Sequence, residues 1–212
     1  MKATLTHLTA FLVGVIALPI LLLVITQFDP NLVRPVARAI IPLFIKVLTA
    51  QPTTESNASH NLKIAKTELD RFYSLGPAAK YEFNQENIVD AKKYATELAA
   101  LTPKYAKNWN YGNAVQDSNL VLGRIAIRDG NLDAAKVFLA EEAKSQGSPQ
   151  MDSFGPNVSL AKDLLEKGER EAVINYFTAC KTFWKGHDGK LDDWIASAKA
   201  GNIPDFGANL IY

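Results

Sequence analysis

The chain has 212 residues, 48% of them apolar and 21% charged, which fits one domain of about 100–150 residues plus an appendage. Residues 1–50 hold Lys2, Arg34, Arg38 and Lys46 against Asp29 alone, so the rest is slightly acidic and unsuited to neutralising the phosphates of a nucleic acid. One cysteine, Cys180, excludes an intrachain disulfide and a Cys-rich metal site.

From Leu8 to Phe28 no residue is charged, and the run Phe11 to Ile25 is almost wholly aliphatic. Spanning a bilayer core takes about 20 apolar residues at 1.5 Å rise each, so residues 1–30 are expected to form a single transmembrane anchor kinked at Pro19. A cleaved secretory signal is the competing reading, with Lys2 as its basic start. The run is longer than the usual 7–15 residues and no small-x-small cleavage site closely follows it, which favours the anchor.

Residues 31–50 are different in kind. On a helical wheel Arg34, Arg38 and Lys46 share one side, with Val33, Val36, Ile40, Leu43, Phe44 and Val47 opposite. That pattern is expected to lie in the membrane interface with its basic edge near lipid phosphates, and two arginines disfavour a second pass through lipid. Counting those three basic residues favours a cytoplasmic domain. A short basic start running straight into an apolar stretch favours an uncleaved export signal and a periplasmic one, and the balance leans to the latter.

Residues 51–59 are polar and lack a period, which predicts a linker. Beyond them Ala, Leu, Lys and Glu dominate and β-branched alternation is nearly absent. The expected fold class over residues 60–212 is therefore all-α. Helices are predicted over residues 60–74, 86–101, 114–129, 132–145, 157–167, 169–184 and 190–200, with Gly130 and Gly168 breaking closely spaced pairs.

Those glycines are in register. Gly123 precedes Gly130 by seven positions and Ala161 precedes Gly168 by seven, the second set lying 38 residues after the first. A weaker copy runs from Glu86 through Ala91 and Ala95 to Pro103, with Gly76-Pro77 interrupting its leading helix. Over residues 78–184 this arrangement resembles the tetratricopeptide repeat, whose period is about 34 residues and whose small residues let antiparallel helices pack closely. The resemblance implies a TPR-like stack of helical hairpins, capped here by the helix with Leu191, Trp194 and Ile195 and by the tail from Ile203. Phrases such as Trp109-Asn110-Tyr111-Gly112-Asn113 and Ser153-Phe154-Gly155-Pro156-Asn157 resemble a group of bacterial repeat proteins of no assigned activity, which implies a bacterial source and, with the anchor, an inner-membrane setting.

Residues with chemical potential are sparse. His7, His60 and His187 are not paired with a second ligand at helical spacing, so neither a metal nor a cofactor is expected. Asp192 and Asp193 point about 100° apart on a helix, and Asp192 suits its first turn. Cys180, one turn beyond Phe177, fits a buried structural thiol. Trp109, Tyr111, Phe183, Trp184 and Trp194 fit packing at repeat junctions better than a ligand-stacking surface. Aligning the repeats puts Arg124 and Lys162 at the same place, with Lys80 equivalent in the weak copy, on the face that the resemblance assigns to the groove. Such a stripe could receive an acidic segment of a partner. The expected function is a membrane-anchored helical-repeat adaptor, an accessory subunit that binds other subunits of a membrane complex and the lipid bilayer, and not an enzyme. The rival is an envelope enzyme with a site near His187, Asp188 and Trp184.

Overall fold

The computed structural model describes residues 54–211. The expected anchor and the interfacial helix, with Arg34, Arg38 and Lys46, lie outside them. All regular structure among the described residues is helical, and no helix there is long and apolar enough to cross a membrane. In chain order the α-helices are α1 (Thr54–Ile64), α2 (Glu68–Asn84), α3 (Ile88–Leu101), α4 (Tyr111–Arg128), α5 (Leu132–Ala143), α6 (Pro149–Phe154), α7 (Ser159–Glu166), α8 (Arg170–Cys180) and α9 (Lys190–Lys199).

Helices α1, α2 and α6 depart from the sequence pattern, and the helix predicted over residues 60–74 is broken at 65–67 between α1 and α2. Helix α1 begins inside the stretch expected to be a linker, because Ala58 and Leu62, one turn apart, are buried. Helix α2 runs straight through Gly76-Pro77, which was expected to break it. Pro77 removes one helical N–H, so the Tyr73 carbonyl loses its partner, but the helix is held from both sides of that gap. Thr67 caps its start in a reciprocal box with Asp70, and Phe72, Leu75, Ala78 and Ala79 are buried. Tertiary burial outweighs the local cost of proline, about 3 kcal/mol.

Helices α2 and α3, α4 and α5, and α7 and α8 form three antiparallel hairpins, and α2, α4 and α7 lie side by side as their first helices. The three turns share one hydrogen-bond pattern. The N–H groups of Asn87, Asn131 and Glu169 each reach back five residues, to the carbonyls of Glu82, Ala126 and Leu164. The residue before each donor is left-handed: Glu86 at φ 62°, Gly130 at 75° and Gly168 at 87°. This is the six-to-one closure that ends a helix on a left-handed residue, and glycine occupies the position without a Cβ clash. The next helix then starts at once, with the Asn87 and Asn131 side chains accepting from Asp90 and Ala134. Ion pairs join successive turns, Arg128 with Glu86 and Lys136 with Glu169.

Close packing between hairpins falls where the small residues are. A Cβ on Gly123 would stand 2.4 Å from the Leu160 side chain and 3.2 Å from Cβ of Phe138, so α4 meets α5 and α7 there. Ala161 is fully buried in the same cluster as Leu139, Leu164, Val173 and Phe177. Gly123→Leu is expected to overpack this contact and lower stability by about 1–3 kcal/mol, measured by thermal unfolding against the parent. An unchanged melting temperature would remove Gly123 from the contact.

Residues 146–156 were expected to be loop, but they contain the short helix α6. Ser148 caps it by accepting from the Met151 N–H, and Pro149 starts it where a missing N–H costs nothing. The last elements close the far end: Trp194 and Phe206 pack on Phe177. The chain then turns back across the start of α7. There the Val158 N–H donates to the Asn209 carbonyl, and Asn209 Nδ2 donates to the carbonyls of Phe154 and Pro156 at 3.0 and 2.9 Å.

Candidate functional site

Side chains along one face of α2 and one face of α4 meet across a groove. On α2 the spacing is Phe72, Gly76 and Lys80 beside Tyr73 and Pro77; on α4 it is Asn110, Asn113 and Asp117, then Val121 and Arg124. Both follow the three-to-four residue period that puts side chains on one helix face. At the centre Lys80 Nζ and Asp117 Oδ1 are 2.7 Å apart, Asp117 buried and Lys80 half-buried. Gly76 permits this approach, since a Cβ there would lie 2.5 Å from the Asp117 carboxylate.

A cavity of about 400 Å³ lies on one side of that pair, walled by Phe72, Tyr73, Pro77 and Leu98 and closed by Gln150, Met151 and Phe154 of α6. A second, of about 230 Å³, lies on the other side, between Tyr81, Phe83, Leu120, Arg124 and the tail residues Leu210 and Ile211. Trp109 is 55% exposed and stacks on the wall residue Tyr73 with centroids 5.7 Å apart. The Tyr73 hydroxyl accepts from Asn108 Nδ2. Polar groups of the wall are tied together, Asn113 to Asn110, Gln150 and Ser148, and Gln116 to the Asn157 carbonyl.

Of the three basic residues predicted to line a groove, the structure brings Lys80 and Arg124 to one cavity and places Lys162 outside both. Each has a carboxylate neighbour. Arg124 Nε donates to Asp163 at 2.7 Å, and its guanidinium lies 4.7 Å from the centre of the Phe83 ring. Lys162 pairs with Glu166 one turn along its own helix. The stripe is thus a set of ion pairs, two of which bridge successive first helices, α2 to α4 and α4 to α7.

The other side chains with chemical potential sort by burial. Cys180 is fully buried, and desolvation pushes its thiol up, away from nucleophilic use. Asp192 pairs with Lys181 across α8 and α9, which holds its carboxyl below the usual range. His187 Nδ1 accepts from the Gly189 N–H, and its ring meets Trp184 edge-on at 6.3 Å. Phe183, Trp184 and Trp194 belong to the core, so of the aromatic set it is Trp109 that faces outward. Among the described residues no three His, Cys, Asp or Glu side chains form a group able to hold a metal.

One buried group was missed by sequence reasoning. Glu142, in the last turn of α5, is 1% exposed, and its carboxyl is held well above the usual range by desolvation, against the lowering effect of the nearby Tyr176 hydroxyl and with a smaller push upward from the charge of Asp117. The Tyr176 hydroxyl lies beside it and beside the Cys180 thiol, yet neither Glu142 oxygen nor the hydroxyl reaches hydrogen-bond geometry. A signal was present in the sequence: Ala135, Leu139 and Glu142 share one helix face, as do Val173, Tyr176 and Cys180. The chain matches no protein-family model, no curated protein and no solved structure.

Proposed function

We propose that this chain is a membrane-tethered adaptor of TPR-like hairpins, an accessory subunit whose groove between α2 and α4 holds a segment of a partner in a membrane assembly. The observation that carries the reading is the groove itself. Two cavities flank one half-buried ion pair, the walls come from successive hairpins, and an exposed aromatic side chain, Trp109, stacks on the wall residue Tyr73. The shared turn geometry supports a repeat architecture, in which each hairpin buries a face that it could not bury alone. In the sequence the uncharged run at residues 8–28 supplies the tether, Arg34, Arg38 and Lys46 contact lipid headgroups, and the helical domain stands on the periplasmic side of a bacterial inner membrane.

Acidic side chains of the partner exchange with Asp117, Asp163 and Glu166 for Lys80, Arg124 and Lys162. Purification of the full chain in mild detergent, followed by identification of co-purifying subunits, tests the adaptor role. Reversing Arg124 and Lys162 together to Glu is expected to reduce recovery of the partner more than either change alone. Recovery should also fall as salt shortens the Debye length from about 10 Å at 0.1 M to about 3 Å at 1 M. Because Arg124 is half-buried against Asp163, Arg124→Gln with an unfolding curve separates lost binding from like-charge repulsion inside the fold. Unchanged recovery with the folded double variant would remove the basic stripe from the interface.

A further inference from the structure

Glu142 sits where a carboxylate is least welcome. Its side chain is enclosed by α4 and α8, and it lies in the last turn of α5, where the helix dipole repels negative charge. The groups acting on it are Asp117 from α4 and Tyr176 from α8, whose hydroxyl lies beside the Cys180 thiol. Among the described residues no cation offsets them: Lys80 is held by Asp117, Lys144 by Glu141, and on α7, which also packs on α5, Lys162 and Asp163 pair with Glu166 and Arg124. A carboxyl in this place is accommodated as the neutral acid, and a carboxylate must reach water.

Glu142 lies in the last turn of α5, so unwinding that turn would carry its carboxyl out to water. That turn is closed by the N–H groups of Lys144 and Ser145 on the carbonyls of Glu141 and Glu142. Directly after it the chain threads tight contacts: Gly147 lies against the Phe183 ring and under Gly112, Ser148 bonds Asn113, and Gly155 lies against the Trp184 ring. The same stretch carries Gln150, Met151 and Phe154, the wall of the larger cavity.

We infer that Glu142 is a proton-operated latch on the connection between α5 and α7: while its carboxyl keeps the proton, residues 144–156 close the groove wall, and losing the proton frees them. The inference needs no partner and stands apart from the adaptor reading.

Amide hydrogen exchange on the full chain in mild detergent tests it, from pH 5 to 9 and corrected for intrinsic exchange. In the native chain the opening constant of residues 144–156 is expected to rise with pH, by up to about tenfold per pH unit for one proton lost on opening. Helices α2 and α3 should stay flat over the same range. Glu142→Gln should abolish the dependence, and Glu142→Met, which also cannot titrate, replaces it if the amide variant fails to fold. A native profile without pH dependence would overturn the latch. So would an equal rise in the variant, or a rise shared by α2 and α3, which is global unfolding.

Discussion

Gly112→Ala is expected to lower stability by an amount on the order of 3 kcal/mol, although alanine is the better helix former. Gly112 lies in the first turn of α4, where the gain from replacing glycine is about 1 kcal/mol at an open site. Here a Cβ would stand 2.0 Å from the Gly147 carbonyl oxygen, 2.2 Å from its carbon and 2.8 Å from the Ser148 nitrogen. Those are backbone atoms and cannot rotate away. Gly147 is itself pinned, since a Cβ built on it would meet the Phe183 side chain at 2.7 Å. Relief must come from moving the chain between α5 and α6, which breaks the Ser148 cap and its bond to Asn113 and shifts the cavity wall. Urea unfolding should therefore show a lower midpoint, and hydrogen exchange should show lost protection from residue 145 to 155 ahead of the rest. A midpoint at or above the parent's would mean that the two strands of chain do not cross as tightly as the structure has them.

How far the sequence foretold this arrangement depends on the range over which each cause acts. Helix identity and the hairpin turns were legible because their causes are local: the apolar period and a glycine at the left-handed position. The first copy reads as weak because Gly76-Pro77 interrupts its leading helix and no glycine marks its turn, yet the backbone at Glu86 closes like the others. Helix α2 was misjudged at Gly76-Pro77 because the local reading gave proline its full cost. It could not weigh the burial of Phe72, Leu75, Ala78 and Ala79 on both sides. The stripe of Lys80, Arg124 and Lys162 follows from register, and Glu166 lies one helical turn from Lys162, but the partners of Lys80 and Arg124 lie 37 and 39 residues away and no periodicity announces them. The Gly112–Gly147 crossing was invisible for the same reason, whereas helix α6 had a local signal in Ser148-Pro149. Gly112 reads as a turn residue beside Asn110 and Asn113, whereas its use is to let another segment pass.

Glu142→Met is expected to stabilise the domain at neutral and alkaline pH, and the direction follows from the sign of the proton linkage. Burial and Asp117 raise the Glu142 carboxyl above its ordinary 4.5, so the folded chain holds this proton more tightly than the unfolded one. The stability that depends on it is complete below about 4.5 and is lost as pH rises toward the folded value. Native stability should then fall between pH 5 and 8, by at most about 1.4 kcal/mol per pH unit while the difference remains one proton. Glu68, Asp70 and Asp192 act in another window. Their carboxyls are lowered by hydrogen bonds to Lys104, Thr67 and Lys181, so what they contribute is lost only as pH drops through the acid range. Methionine keeps the unbranched shape of Glu142 and leaves no carboxyl to desolvate, a gain of about 1–3 kcal/mol for a buried group without a partner. Urea unfolding at pH 5, 6.5 and 8, followed by tryptophan fluorescence from the buried Trp184 and Trp194, gives both slopes. The variant's curve should be nearly level and should separate upward from the parent's as pH rises. Parallel curves would show that Glu142 is ionised in the folded chain and hydrated where it stands, and the latch on the groove wall would have no proton to operate it.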